Sequence, residues 1–241
     1  MTAPATGFGV SDPPGTMIGV DPIDEWSKAQ ERVIALLEGA SAEQVESRVP
    51  SCPDWTVRDL FSHMVGLGTD VVAGDEPDDH NETWTAKQVE ARRDHSVAQL
   101  VEEWRATAEP LRAWMREHGP RPLGDVIIHE QDLRGALGVP GGKDSGGVAL
   151  IRDRFAPRVG GRLPEGTTLG LVGKQWSWAS DDGDPEQADV VLHADEFELH
   201  RASLARRSAN QIRSWTTKGD VEPVLDAFAT LGDLPAEDRT E

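Results

Sequence analysis

The 241-residue chain carries 43 acidic against 24 basic side chains, a formal charge of −19, with 37% hydrophobic and 28% charged residues. That balance suits one large soluble domain or two small ones and opposes nucleic acid as a partner, whose phosphates would be repelled at long range. Apolar runs are as short as residues 126–128 and 148–151, so nothing approaches the ~20 apolar residues of a membrane helix. Cys52 is the single cysteine and Tyr is absent. This excludes an internal disulfide, suits a cytoplasmic protein, and leaves His, Asp and Glu for acid–base work.

Residues 1–20 hold no Lys or Arg and are rich in Pro, Gly and Thr, which predicts a disordered tail rather than a secretory signal. From 21 to 39, Ile23, Trp26, Ala29, Val33, Leu36 and Leu37 recur at helical spacing, and Gly39 stops the helix. Thr56 followed by Asp59 is a capping-box spacing that starts a second helix, with Gly66 and Gly68 marking its end. The acidic residues of 70–82 predict a solvated loop. A third helix is expected over 86–118, burying Val97, Leu100, Val101, Trp104, Ala108, Leu111 and Met115, with Pro110 kinking or dividing it. A fourth runs from 123 to 137 and stops at Gly138. Four helices with modest connections predict a bundle over 21–145.

The Gly-rich stretch 143–147 marks a boundary. Beyond it, 167–172, 175–179 and 188–193 read as strands, and helical periodicity returns over 196–207 and 221–231. The expected class is α+β, a four-helix bundle followed by a small α+β domain over 146–235.

The fourth helix carries the chemistry. Asp125 and His129 are four apart and face the same way, and Asp132 continues their polar stripe. His63 lies in an otherwise apolar turn of the second helix. Two imidazoles and a carboxylate make an open, zinc-like site with a position left for water, a thiol or a substrate oxygen. The same spacing also suits a hydrogen-bonded bundle interior without metal. Cys52 reads as a small buried thiol with no base nearby in sequence. Arg201, Arg206, Arg207, Arg213 and Lys218 form a basic island within 199–218, either a receptor for a carboxylate-bearing ligand or a set of surface ion pairs.

The run Cys52-Pro-Asp-Trp55-Thr-Val-Arg-Asp59-Leu-Phe-Ser-His63 and the later Asp125-x-x-x-His129-x-x-Asp132-Leu resemble the mycothiol-dependent maleylpyruvate isomerase family, and 197–219 looks like its C-terminal pattern. The resemblance implies a DinB-like metal-binding bundle plus a smaller α+β domain. It maps the family's metal-binding His and Glu-x-x-x-His pair onto His63, Asp125 and His129, with Asp standing where the family has Glu. Asp132 would organise the site by orienting a ligand or water. The implied cofactors are a divalent metal, zinc by its donor set, and mycothiol, whose sulfur ionises on the ion and adds to an electrophilic substrate. The outcome is cis–trans isomerisation or S-transfer. Arg206 or Arg207 would hold a carboxylate of thiol or substrate. The alternative on the same fold is a non-catalytic metal- or thiol-binding module or sensor.

Overall fold

The computed structural model describes residues 19–77 and 81–241. The tail expected over 1–20 therefore lies outside the described residues up to residue 18, as do positions 78–80 of the acidic loop.

Asp21 caps α1 (Pro22–Glu38) by accepting from the Ile23 amide, and the buried face is Trp26, Ala29, Val33, Ile34 and Leu37. After the short α2 (Ala42–Val45), a small hairpin of β1 (Arg48–Val49) and β2 (Cys52–Thr56) turns the chain into α3 (Val57–Ala73). The predicted capping box is present, with Thr56 and Asp59 bonding each other's backbone amides. The predicted stop at Gly66 and Gly68 is not: α3 runs through both and ends at Gly74, in the left-handed region at φ 75°. The expected third helix is two, α4 (Glu82–Ala91) and α5 (Val97–His118), because Ser96 and Gln99 form a new capping box between them. Pro110 sits inside α5 without dividing it. Helix α6 (Pro122–Leu137) ends at Gly138 in the left-handed region.

The Gly-rich 143–147 stretch leads directly into α7 (Gly146–Gly160), a helix whose periodicity its glycines masked. Its Val148, Ile151 and Phe155 join the bundle core, while Ala156 and Val159 join a second core. One rigid element thus serves both cores. The second core is built on β3 (Leu169–Val172), β4 (Ser177–Ala179), β5 (Val190–His193) and β6 (Thr216–Lys218), in the order β4-β3-β5-β6. β3 and β5 are parallel, and β4 and β6 flank them antiparallel. The three predicted strands are present, shortened; β6 had no alternating pattern to reveal it. Helix α8 (Glu196–Ser203) is shorter than 196–207, since Ala205 adopts φ 57°. Helix α9 (Ala209–Trp215) follows, and a 3-10 turn (Glu222–Phe228) replaces the last expected helix. Among the described residues no helix is long and apolar enough to cross a membrane.

Candidate metal centre

His63 comes from the middle of α3, and Asp125 and His129 from consecutive turns of α6. All three are largely shielded, with side-chain exposures of 7%, 14% and 14%. Asp125 Oδ1 lies 3.1 Å from His63 Nε2 and 3.5 Å from His129 Nε2. One ligand atom from each residue falls within 4.8 Å of the others. The Trp55 ring, delivered by β2, packs on His63 at 5.1 Å between centroids.

The surrounding hydrogen bonds fix which ring nitrogens carry protons. Gln88 on α4 is buried, and its Nε2 donates to Asp70 Oδ2 at 2.7 Å. A carboxylate only accepts, so the Gln88 amide must turn its Oε1 to His63 Nδ1, at 2.7 Å, and Nδ1 must donate. His129 Nδ1 lies 3.0 Å from Asp132 Oδ2 and donates to it likewise. Both outer nitrogens are therefore N–H donors. In the neutral imidazoles both Nε2 atoms then present lone pairs to the Asp125 carboxylate. Acceptors converging in this way from three sides need a cation between them, a metal ion or a proton.

Asp132 is held ionised. Burial would raise its pKa, but Arg206 and Arg201, with the His129 bond, hold it well below the usual carboxylate range. Arg201 Nη2 donates to Asp132 Oδ1 at 2.5 Å, and Arg206 donates through Nε and Nη2, each at 3.2 Å. Asp132 thus pins His129 from α6 while anchoring α8 and the turn after it to the bundle.

Burial would lower the pKa of His129, but the Asp125 charge, then the bonds to Asp132 and Cys52, raise it to about 10. In the metal-free protein a proton therefore fills the cluster. Because the folded pKa lies above the unfolded 6.5, the stabilisation is fully present below pH 6.5 and lost as pH rises through about 10. Urea unfolding of metal-free protein should show stability falling between pH 7 and 10; a flat profile would contradict the buried imidazolium.

The anion receptor expected at Arg206 and Arg207 is not open. Arg206 spends Nε and Nη2 on Asp132 and Nη1 on the Leu204 carbonyl. Arg207 is fully buried between Glu198 and Glu241, at 2.5 and 2.6 Å. Arg213 pairs with Glu222. The basic island is used mainly to tie the fold together.

Sequence spacing gave no sign of Gln88 or Glu241, and it undervalued Cys52. β2 carries Cys52 to the centre, where its sulfur, a His129 nitrogen and an Asp132 oxygen form a second cluster within 4.8 Å. The signal was the motif linking Cys52 to His63. Gly66 sets the approach of α4: a Cβ there would lie 2.6 Å from Gln88 Cβ and 2.8 Å from its Cγ. Gly66→Ala should cost about 1–3 kcal/mol in thermal or urea unfolding by pushing α4, and Gln88 with it, away from His63.

Residues 26–133 match the family model described as the mycothiol maleylpyruvate isomerase N-terminal domain. The bundle is similar to that domain. A crystal structure of a histidine-to-alanine mutant of the mycothiol-dependent maleylpyruvate isomerase matches with a TM-score of 0.57 and 12% identity, over 84% of this chain and 94% of that one. At that identity the likeness is one of fold, and its coverage of 84% of this chain extends past residues 26–133 into the α+β portion. No curated protein matches the chain significantly.

Proposed function

We propose that this protein is a metal-dependent, mycothiol-using enzyme that adds a thiol to an electrophilic substrate, with His63, Asp125 and His129 as the metal ligands. The observation that carries this reading is the convergence of two Nε2 lone pairs and one carboxylate oxygen, each imidazole fixed from behind by Gln88 or Asp132. Two nitrogens and one oxygen fit zinc with a coordination position left over. Asp125 is one carbon shorter than the family's Glu, yet its Oδ1 already reaches both imidazoles, so the substitution is compatible with binding.

A bound ion supplies a Lewis acid that lowers the pKa of a thiol into the neutral range. The chain's own residues do the rest. Gln88 and Asp132 hold both imidazoles in the ligating tautomer, as outer partners of metal-binding histidines do. Trp55 covers His63 and limits water on that side. Asp132 acts through His129 and, at 1% exposure, does not touch substrate, so it is a positioning residue. In the reaction, the sulfur lone pair forms a bond to an alkene carbon conjugated with a carbonyl, and the π electrons move onto the carbonyl oxygen. Rotation about the resulting single bond followed by expulsion of the thiolate is isomerisation. Protonation and release of the adduct is S-transfer; on an aryl halide the sulfur instead bonds to the ring carbon that bears the halogen, and the C–halogen bond breaks as halide leaves with the electron pair.

The decisive experiment is metal analysis of gently purified protein together with turnover of maleylpyruvate and of a generic aryl halide electrophile, each with and without mycothiol. Stoichiometric zinc and thiol-dependent turnover that a chelator abolishes and zinc restores are expected. Maleylpyruvate turnover indicates the isomerase, aryl halide turnover the transferase. Metal without thiol-dependent turnover of either would replace the enzyme by a binding module, and absence of metal would overturn the reading altogether.

A further inference from the structure

If the basic island is committed to internal carboxylates, the cation that meets an incoming anion must come from elsewhere. Around the candidate centre, Arg201 is shared between Asp132 and Glu241, Arg206 is held by Asp132, and Arg207 lies between Glu198 and Glu241. Arg239 is different. Its guanidinium has no hydrogen bond or ion pair among the described residues, although the residue is partly buried.

Its backbone, by contrast, is clamped. The Arg239 amide donates to Gln211 Oε1 at 3.0 Å and its carbonyl accepts from Gln211 Nε2 at 2.8 Å. On one side Asp238 accepts from the Ser208 hydroxyl at 2.5 Å. On the other, Glu241 sits in the arginine pair, at 2.7 Å from Arg201 and 2.6 Å from Arg207. Arg201 Nη2 contacts Glu241 and Asp132 at once, and Arg239, two residues from Glu241, lies within electrostatic reach of Asp132 and Cys52. The charges facing the guanidinium are those of this same corner. Partial burial and then Arg206 lower its pKa, while Asp132, Cys52 and Glu241 oppose them.

A rigidly anchored, partly desolvated and unpaired guanidinium is a carboxylate receptor, since a planar fork forms paired, charge-assisted hydrogen bonds with that group. We propose that Arg239 binds a carboxylate of the electrophilic substrate, so that segment 238–241, clamped to α9, completes the site from the α+β portion. The inference rests on the functional reading above for the identity of the site, and the test separates the two.

Maleate and its uncharged diamide are titrated calorimetrically into the full chain, metal-loaded and metal-free, for the native protein, Arg239→Gln and Arg239→Lys. The native protein should bind maleate more tightly than the diamide. Arg239→Gln should weaken maleate about ten- to a hundredfold while leaving diamide affinity, metal stoichiometry and melting temperature unchanged, because the side chain has no partner in the fold. Arg239→Lys, which keeps the charge and loses the fork, should fall between them. Equal maleate affinity in native and Arg239→Gln protein overturns the proposal, as does a native protein that holds metal and does not bind maleate. Maleate binding that depends on Arg239 in a chain that takes up no metal would retain the receptor and discard the metal reading.

Discussion

Asp132→Ala should destabilise the protein by about 3–5 kcal/mol in urea unfolding, the range for removing one partner of a buried ion pair. The loss does not measure the worth of the pair. It measures what is left behind: Arg201, with no side-chain exposure, and Arg206, with 9%, both of which the wild-type carboxylate neutralises. Arg201 keeps Glu241, but Arg206 keeps only the Leu204 carbonyl. Its buried charge then has no counterion, and the turn after α8 must open to water. Asp132→Asn tests the same point more gently, since the amide preserves shape and one acceptor while losing the charge. The contrast is Glu222→Ala, which removes the partner of Arg213 at an exposed pair and should leave the urea midpoint nearly unchanged. If Asp132→Ala proved as mild as Glu222→Ala, the carboxylate would not be the keystone between α6 and α8, and the fixed His129 tautomer would lose its support.

What the amino-acid pattern disclosed, and what it concealed, follows from how local each signal is. α1, α5 and α6 are legible because they bury a continuous stripe: Leu100, Val101, Trp104, Ala108, Leu111 and Met115 are all buried as expected in α5, although Val97 is only partly so. α4 buries only Trp84 and Gln88, too few to show a period, so it merged with its neighbour in the sequence reading. The glycines of α3 looked like stops because an isolated chain favours that use. Gly66 instead serves a contact with α4 that no local rule contains. The same distinction runs through the candidate site. Asp125 and His129 are paired by helical spacing, and His63 stands out as an imidazole in an otherwise apolar helical turn that the family motif then matches. Gln88, 25 residues from His63, and Glu241, 40 residues from Arg201, enter only through tertiary packing. The basic island was visible as charge, but its partners were set by folding, which turned an apparent receptor into internal ties.

His63→Ala and His129→Ala should both abolish stoichiometric metal binding, yet their stability should diverge in the metal-free protein. Each removes one of three donors, and two remaining donors do not make a closed or catalytic zinc site, so metal content measured after dialysis should fall to background in both. His63→Ala leaves the Gln88 Oε1 without its donor in a buried position, a cost of about 1–3 kcal/mol unless water enters. His129→Ala removes the group that carries the cluster's proton, at a pKa of about 10, and with it the positive charge that faces Asp125 and Asp132. That variant should lose the fall in stability between pH 7 and 10, whereas His63→Ala should keep part of it because the Asp132 contact to His129 survives. The two measurements divide the site's roles. Loss of metal in both variants with the pH response removed only in His129→Ala identifies one cluster in which metal and proton compete for the same lone pairs. Retention of full metal content in either variant would mean that the ion, where it binds, is held by other residues.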